Sequence, residues 1–533
     1  MFTDVSRICG SALIDKKNRF CKIKFVVVSI GLSSLTYGEV SPNLDTKFYH
    51  PKQTLTSKPT VLTNKKIYLG GITLTPGGFF ALEGVWRSRN ITSDIGSNFA
   101  AIPTLNLPQA YLHEFRLSAR QSRLSLLAEG SVNSETLLSG YVETDFLGNG
   151  SGNSNESNSF DLRIRQFYAN IDWKTSGWHI LGGQAWSLIT TFTQGIKARS
   201  EATPPTIDAQ YVVGFAWKRQ PQLRLTKNFG EKIWLAISAE NPQTTFGGTP
   251  ICTPLGTGAV FGAISNIFCS APGIATLPSV NNFSFNQVPD VIGKLAFDSQ
   301  LGGIKLHLES FGLYRQFYDR VYLNHNTIRH NITTNSYGGG FGGVIEVFPQ
   351  LFDIQGNFLS GKGIGSYLAG LLPDVTFRSD GGLAPIQETG FMVGGTLHIT
   401  PALDLYIFGG KEVQQAKFFY AAIPNNFFGL GIPNANNIGC NFETGICNGH
   451  IRELWQISGG FWDKAYDGAY GQLKVGLQYS YTEKILFSGT GAHVGPVIRG
   501  KLIGGKTNEQ MVFFSLRYFP FSVSSNSKLE YVK

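Results

Sequence analysis

Apolar and polar residues alternate with period 2 along much of the chain. In the stretch GQLKVGLQYSYT (471–482), every second residue from Leu473 to Tyr481 is apolar or aromatic, whereas Lys474, Gln478 and the others of their parity are polar or glycine. Successive side chains of an extended strand leave opposite faces of the pleat, so this pattern predicts a strand with one apolar face. A soluble sandwich, a closed soluble barrel and a membrane barrel are all compatible with that strand alone.

The connections between the alternating segments narrow the choice. About sixteen such segments lie between residues 79 and 518, and short connections such as KTSG (174–177) and SQLGG (299–303) alternate with long polar ones. Among the predicted strands are 211–226, in which Arg219 shares the parity of the apolar Trp217, and 304–315, which a long loop is expected to follow. An up-and-down barrel with tight turns at one end and long loops at the other has this rhythm, whereas a Greek-key sandwich has long connections at both ends. The sequence therefore predicts an all-β fold, a transmembrane antiparallel up-and-down β-barrel of about 16 strands.

Charged residues share one face of several predicted strands. In IKLHLE (304–309), the apolar residues alternate with Lys305, His307 and Glu309. Because unpaired charges are costly in a dry core, we expect the charged face to line a water-filled lumen and the apolar face to meet lipid.

Composition agrees with strands rather than helices. The chain has 63 Gly, 40 Phe and 20 Tyr among 533 residues, only 15% charged residues and a mean hydropathy of −0.03. Downstream of the N-terminal region no run approaches the roughly 18 apolar residues that a membrane-spanning helix needs. A chain that crosses a bilayer without such runs must close a barrel.

The N-terminus predicts export. Five Lys or Arg residues between positions 16 and 24 precede the apolar stretch FVVVSIGLSSLTYG, which ends at Gly38 with small residues, as in a secretory signal peptide. The predicted organisation is a signal peptide at 1–38, a periplasmic segment at 39–75, the barrel at 76–521 and a tail at 522–533. Removal of 1–38 takes away six basic and two acidic residues, so the net charge falls from +9 to about +5. No nucleic-acid partner is expected.

The remaining cysteines form two local couples, Cys252 with Cys269 and Cys440 with Cys447. Even numbers of closely spaced cysteines in an exported chain predict two loop disulfides, with free thiols as the alternative. Neither couple has the spacing of a zinc site, and the common hydrolase and P-loop motifs are missing. We expect no enzyme activity, no cofactor and no metal.

Several stretches resemble a known family. SARQSRLSL, GYVETDF, DLRIRQFYANI, LGGQAWSL and RQPQLRLT are similar to the first strands of the DcaP-like bacterial outer-membrane porins, and the stretch from GGFWDKAYDG to SLRYFPF resembles the end of related porins. The resemblance covers most of residues 75–521. It implies a homotrimer of sixteen-stranded barrels in the outer membrane of a Gram-negative cell, in which the third outside loop, here 188–210, narrows the pore.

The resemblance also places candidate pore residues. Strands two, four and six would face the third loop, and strand three and that loop would contribute further charges. The candidates for the lining and constriction are Arg116, Arg120, Glu143, Asp145, Arg163, Arg165, Lys197, Arg199, Lys218 and Arg224. A basic ladder opposite a few carboxylates would favour anionic solutes such as carboxylates. Alternatively, these arginines pair with the carboxylates and only hold the barrel shape.

The predicted function is passive diffusion of small hydrophilic solutes through a water-filled pore surrounded by outer-membrane lipid. The alternative in another class is a barrel adhesin or a binding protein that works through its outside loops. A third possibility is a soluble secreted β-protein.

Overall fold

The structure is a computed structural model that describes residues 66–148, 161–248, 253–254, 268–269, 286–323, 328–378, 380–420, 427–490 and 502–522. The predicted signal peptide, most of the predicted periplasmic segment and nearly all of the predicted C-terminal tail lie outside these residues. The boundaries of those three segments therefore stay predictions.

Sixteen antiparallel strands close one barrel, as predicted. They are β1 Ile72–Arg87, β2 in two segments Glu114–Ser118 and Arg123–Ser131, β3 Thr136–Asp145, β4 Arg163–Trp173, β5 Trp178–Trp186, β6 Arg219–Phe229, β7 Ile233–Glu240, β8 Asp290–Leu301, β9 Ile304–Leu323, β10 Ile328–Phe348, β11 Phe352–Lys362, β12 Gln387–His398, β13 Leu403–Gln414, β14 Ile451–Gly468, β15 Gly471–Leu486 and β16 Lys506–Phe519. Each strand pairs with its neighbour along the chain, and β1 pairs with β16, for example Phe80 with Tyr518, so the sheet has no open side.

Shorter elements accompany the sixteen barrel strands. They are the strands Ile67–Leu69, Thr253–Pro254, Phe268–Cys269, Val375–Phe377, Leu383–Pro385, Lys417–Tyr420 and Phe427–Leu430, and the 3-10 turns Phe99–Ala101, Pro108–Tyr111, Gly365–Tyr367 and Ile438–Asn441. Among the described residues, no helix is long and apolar enough to cross a membrane.

The two faces of the strands follow the alternation in the sequence. In β15, Val475, Leu477 and Tyr479 are exposed on the outer surface, whereas Gln478 and Ser480 are buried inside. An exposed apolar face on strand after strand is the surface of a barrel that is surrounded by hydrocarbon.

The strands differ from the prediction at two places. The predicted strand 211–226 begins only at Arg219, because residues 211–218 fold into the barrel interior instead. The long loop expected after residue 315 is not present, since β9 and β10 continue their pairing outward as far as Leu323 with Ile328.

Two long loops fill much of the barrel interior. We name them loop 3, residues 187–218 between β5 and β6, and loop 6, residues 363–386 between β11 and β12. Most of their apolar side chains are buried, packed against inward residues such as Phe408, Leu454 and Phe513. The loops also join each other, because Trp217 N–H donates to Tyr367 O at 3.0 Å and Ala369 N–H donates to Phe215 O at 3.1 Å. This part of the interior is therefore a dry core and not the open lumen that the charged strand faces suggested.

Several buried charges beside these loops form ion pairs. Lys294 Nζ lies 2.6 Å from Glu309 Oε1, and Arg315 contacts Asp290 at 3.0 Å and Asp374 at 2.9 Å, all with side chains shielded from solvent. A buried charge is costly chiefly when its partner is missing, so these pairs account for charges inside a dry core.

At the long-loop end, Cys440 and Cys447 form a disulfide, as predicted. Cys252 lies outside the described residues, so its predicted bond with Cys269 stays a prediction.

Candidate functional site

The wall formed by β2 to β6 carries most of the predicted pore residues. Two irregularities build it. Residues 119–122 interrupt β2, so that Glu114 and Ser118 point inward before the break and Arg123 points inward after it. In β4, the register against β3 shifts at Glu143, and Arg165 and Gln166 are both buried inside. Such a bulge re-aims a side chain, and here it brings an additional arginine to the interior face.

The arginines of β4 are tied to the carboxylates of β3. Arg165 Nε lies 2.6 Å from Glu143 Oε1 and its Nη1 lies 3.0 Å from Asp145 Oδ2. Arg163 reaches the same Asp145 carboxylate at 2.7 Å. Bidentate pairs of this kind hold the guanidinium groups in fixed positions.

A cavity of about 1290 Å³ opens beside this wall at the long-loop end, and we call it the outer cavity. β3 ends at Asp145 and pairs only with the segment Arg123–Ser131 of β2. The other segment of β2, Glu114–Ser118, therefore pairs only with β1 within residues 66–148 and 161–248, and the outer cavity forms beside it. Its charged lining residues are Arg116, Arg120, Arg163, Arg219 and Asp94. Three of these guanidinium groups are ion-paired, Arg116 with Glu114, Arg120 with Asp94 and Arg163 with Asp145. Arg219 has no carboxylate partner among the described residues, so its positive charge is not balanced.

A second cavity of about 350 Å³ lies on the same wall at the short-turn end, and we call it the inner cavity. The tip of loop 3 covers it: Lys197 lies 2.6 Å from Glu231 and 5.2 Å from the Trp234 ring, and Arg199 lies 5.6 Å from the Tyr141 ring. Its charged lining residues are Glu129, Asp172, Lys174, Lys197, Arg199, Arg224 and Glu231. His179 also lines it, and its Nδ1 lies 2.5 Å from Asp172 Oδ1.

A thin layer of side chains separates the two cavities. Along β4, Arg163 lines the outer cavity and Tyr168 the inner one, and Arg165 lies between them. The same order holds on β2, where Arg123 lies between the outer-cavity residue Ser122 and the inner-cavity residue Glu129. We call the set Arg123, Glu143, Arg165 and Tyr211 the arginine layer. Tyr211 belongs to loop 3, and Arg165 and Arg123 lie close enough to it to lower the pKa of its hydroxyl group.

Two donors near this layer have no hydrogen-bond acceptor in the described part of the chain. They are Arg123 Nε and Arg219 Nη1, both shielded from solvent. Arg219 is held instead by the rings of Trp186 at 4.9 Å and Trp217 at 5.6 Å. Buried guanidinium N–H groups without an acceptor favour an anionic group in their neighbourhood.

Two titratable groups of loop 3 have shifted pKa values. Burial raises the pKa of Glu201 to about 7, although the nearby Arg224 opposes the shift. Burial also raises the pKa of Tyr211, but Arg165, Arg123 and Arg219 outweigh it and leave that pKa below its ordinary value. The charge of Glu201 is thus sensitive to pH near neutrality.

The structure places nine of the ten predicted residues on this wall or on the tip of loop 3. Arg116, Arg120 and Arg163 line the outer cavity, Lys197, Arg199 and Arg224 line the inner cavity, and Glu143, Asp145 and Arg165 lie at the boundary. Lys218 lies apart, buried between loops 3 and 6, where its Nζ donates to Ser366 Oγ at 2.8 Å. Their roles in solute passage stay predictions.

Sequence reasoning missed three residues of the site. Arg123 changes face only because of the break in β2, which strict alternation does not reveal. Arg219 has the same parity as the apolar Trp217 in the predicted strand. This mismatch was the signal in the sequence that Arg219 does not simply face lipid. Tyr211 lies in a segment predicted as strand, so its position inside the barrel had no signal in the pattern.

Comparison with known proteins supports the fold. No protein-family model and no curated protein sequence matches this chain. The crystal structure of the outer membrane channel DcaP of Acinetobacter baumannii is similar with a TM-score of 0.57 and 17% identity, over 85% of this chain and 98% of that one. An anion-selective porin from Comamonas acidovorans aligns over 84% of this chain and 99% of its own, at 10% identity and a TM-score of 0.43, too low to carry an argument. The chain thus has the fold of outer-membrane channels.

Proposed function

We propose that this protein is a porin of the bacterial outer membrane. Small hydrophilic solutes, preferably anionic ones such as carboxylates, diffuse passively from the outer cavity through the arginine layer to the inner cavity. The barrel sits in outer-membrane lipid, assembles as a homotrimer and catalyses no reaction. The observation that carries the proposal is the position of the arginine layer, between two cavities on the wall formed by β2 to β6.

The charge balance supports the preference for anions. The outer cavity has four guanidinium groups and one carboxylate, whereas the inner cavity has a nearly equal number of each sign. A narrow cleft lined by charges of one sign, with walls of low dielectric constant, focuses the electric field. This raises the local concentration of ions of the opposite charge. An anion entering from the long-loop end therefore meets a favourable potential before the narrowest point.

The test is conductance in a planar bilayer. The purified protein, confirmed as folded by heat-modifiable gel mobility, is expected to give ohmic channel steps and a reversal potential that favours chloride in a KCl gradient. The variant Arg116→Glu/Arg163→Glu changes two partly exposed arginines of the outer cavity, which are 44% and 35% exposed. We expect it to lower the chloride-to-potassium permeability ratio by a factor of two or more, roughly.

Arg378→Glu is the matched control, because Arg378 has a similar exposure of 36% but lies on loop 6, away from both cavities. Folded protein that never conducts would reject the porin in favour of an adhesin or a loop-displayed binding protein. Channels whose reversal potential is the same in the double variant and in the control would reject the anionic preference.

A further inference from the structure

The lipid-facing side of the barrel has a recess over β6 to β9. Its volume is about 810 Å³, which is in the size range of small-molecule sites in proteins. Outward side chains of these strands line it, among them Leu225, Leu235, Ile237 and Leu295, which are 39–52% exposed. The recess is therefore apolar and lies outside the barrel, apart from the outer and inner cavities.

Two glycines give the recess its depth. Gly293 of β8 lies directly opposite Gly312 of β9 in the strand pairing, and Ile237 of β7 lies opposite Gly293 on its other side. A Cβ atom added to either glycine would have no other atom within 4 Å. The surface is thus low at the two glycines and high at the flanking Ile237 and Leu295. A hydrocarbon chain in this trough gains dispersion contacts that a flat surface would not give.

The recess ends in a basic and aromatic group of residues at the short-turn end. Lys227 Nζ lies 5.3 Å from the Trp178 ring and 5.2 Å from the Phe229 ring, and all three residues line the recess. Trp178 is the first residue of β5 and Phe229 the last of β6, each beside a tight turn. Tight turns mark the periplasmic end of an outer-membrane barrel, and aromatic residues gather where hydrocarbon meets the headgroups. Lys227 therefore lies at the level of the headgroups of the periplasmic leaflet.

The charge of Lys227 is not balanced by a carboxylate. Its Nζ donates to the Ser176 carbonyl, which uses one of its three N–H donors, and it forms no ion pair within the described ranges. The outward residues at the other end of the recess, Gly293, Ser310 and Gly312, carry no charge. An apolar trough with an unbalanced ammonium group at one end is complementary to a lipid with an anionic headgroup. A lipid of the opposite leaflet would place its headgroup at the uncharged end.

We propose that this recess is a binding site for an anionic phospholipid of the periplasmic leaflet. One acyl chain lies in the trough over Gly293 and Gly312, and the phosphate group contacts Lys227. The inference needs only a barrel in a membrane, so it goes beyond the proposed function and does not depend on conduction.

The test measures phospholipid binding to the delipidated protein in detergent by native mass spectrometry. We expect one phosphatidylglycerol per chain to bind more tightly than the zwitterionic phosphatidylethanolamine, by about threefold or more. Lys227→Gln should remove this preference. Gly312→Phe fills the trough and should weaken the binding of both lipids by about fivefold or more.

Each variant has a matched control. Lys305 also lies at the short-turn end, but it pairs with Glu346 at 2.6 Å and does not line the recess. Gly140 of β3 has the parity of the exposed Leu138, and a Cβ atom there would also have no other atom within 4 Å. Lys305→Gln and Gly140→Phe should therefore bind both lipids as the unmodified protein does. Gly293→Phe replaces Gly312→Phe if the latter does not fold.

Three results would overturn the proposal. The first is equal binding of the two lipids to the unmodified protein. The second is equal lipid binding by the trough variants and Gly140→Phe. The third is dissociation of an oligomer by Gly312→Phe with no lipid bound to the unmodified protein, which would show that a second copy of the chain covers the recess.

Discussion

Arg165 shows how one local irregularity creates the chemistry of this wall. Adjacent residues of a strand normally point to opposite faces, yet Arg165 and Gln166 are both buried inside the barrel. The bulge places the Arg165 guanidinium between Glu143 and Asp145, at 2.6 and 3.0 Å. With both carboxylates engaged, Arg123 Nε and Arg219 Nη1 have no acceptor among the described residues, and in the proposed pore they would be available to an anion.

We expect Glu201 to make the selectivity of the proposed pore sensitive to pH. Burial raises its pKa to about 7, so the carboxyl is neutral below that pH and becomes negative above it. Its negative charge then offsets the nearby Arg224 of the inner cavity. The chloride-to-potassium permeability ratio should therefore fall, roughly twofold, as the pH rises from about 6 to about 7.5.

Glu201→Gln is the variant that checks this effect. It should keep the high anion preference of the protonated form over the whole range. The pH range of the measurement ends at about 7.5 because burial and Arg315 lower the pKa of Lys218 to about 8. Loss of the positive charge of Lys218 at higher pH would also lower the chloride-to-potassium permeability ratio. If the permeability ratio of Glu201→Gln has the same pH dependence as that of the unmodified protein, Glu201 is not the group responsible for it.

At the residue scale, the period-2 alternation predicted inward charged residues on regular parts of the strands. It missed inward residues that follow a break or a bulge, or that lie in a loop. Arg116 could be placed from the pattern together with the family resemblance. Arg163 could not be placed from the alternation, because it shares the parity of the exposed Phe167 and the bulge of β4 lies between the two residues. Arg123 could not, because the break at 119–122 exchanges the faces of β2. Tyr211 could not, because its position depends on contacts with Trp186 and Phe215, the first of which is 25 residues away.

Among the elements, loop 6 depends on a buried ion-pair network. Arg315 of β9 contacts Asp290 of β8 and Asp374 of loop 6, and all three side chains are shielded from solvent. Removing the arginine leaves two buried carboxylates without their partner. We expect Arg315→Ala to destabilise the barrel by about 3–5 kcal/mol and to make loop 6 accessible to protease.

Arg378→Ala is the control on the same loop. Its ion pair with Asp380 is exposed, with side chains 36% and 45% accessible, so its loss should cost less than about 1 kcal/mol. Urea unfolding followed by heat-modifiable gel mobility measures both variants. Equal midpoints for Arg315→Ala and Arg378→Ala would show that the buried network does not hold loop 6.

The elements themselves were largely predictable. Period-2 alternation and the rhythm of short and long connections predict sixteen strands and their order. Every strand shows the alternation because one of its faces meets hydrocarbon and the other meets the barrel interior. Residues 211–218 also have the composition of a strand, and only their packing inside the barrel makes them part of loop 3. The outer extensions of β9 and β10 carry no alternation that distinguishes them from a polar loop.

Over the whole molecule, the interior divides into two regions. Loops 3 and 6 pack as a dry core against inward residues of β1, β7 to β9, β11 to β14 and β16, and against Trp186 of β5. The wall from β2 to β6 keeps the two cavities and the arginine layer. The sequence could not predict this division, because it arises from contacts between residues as distant as Val213 and Gln456.

The most direct test of the central claim is chemical modification of single cysteines during conductance. Ser139→Cys lies on β3 in the lining of the inner cavity. Ser458→Cys lies on β14, also facing inward, but fully buried beside Ser480 under loop 3. An anionic methanethiosulfonate reagent should remove most of the current of Ser139→Cys and leave Ser458→Cys and the unmodified protein unchanged. Loss of current in Ser458→Cys, with none in Ser139→Cys, would contradict a passage along the arginine wall.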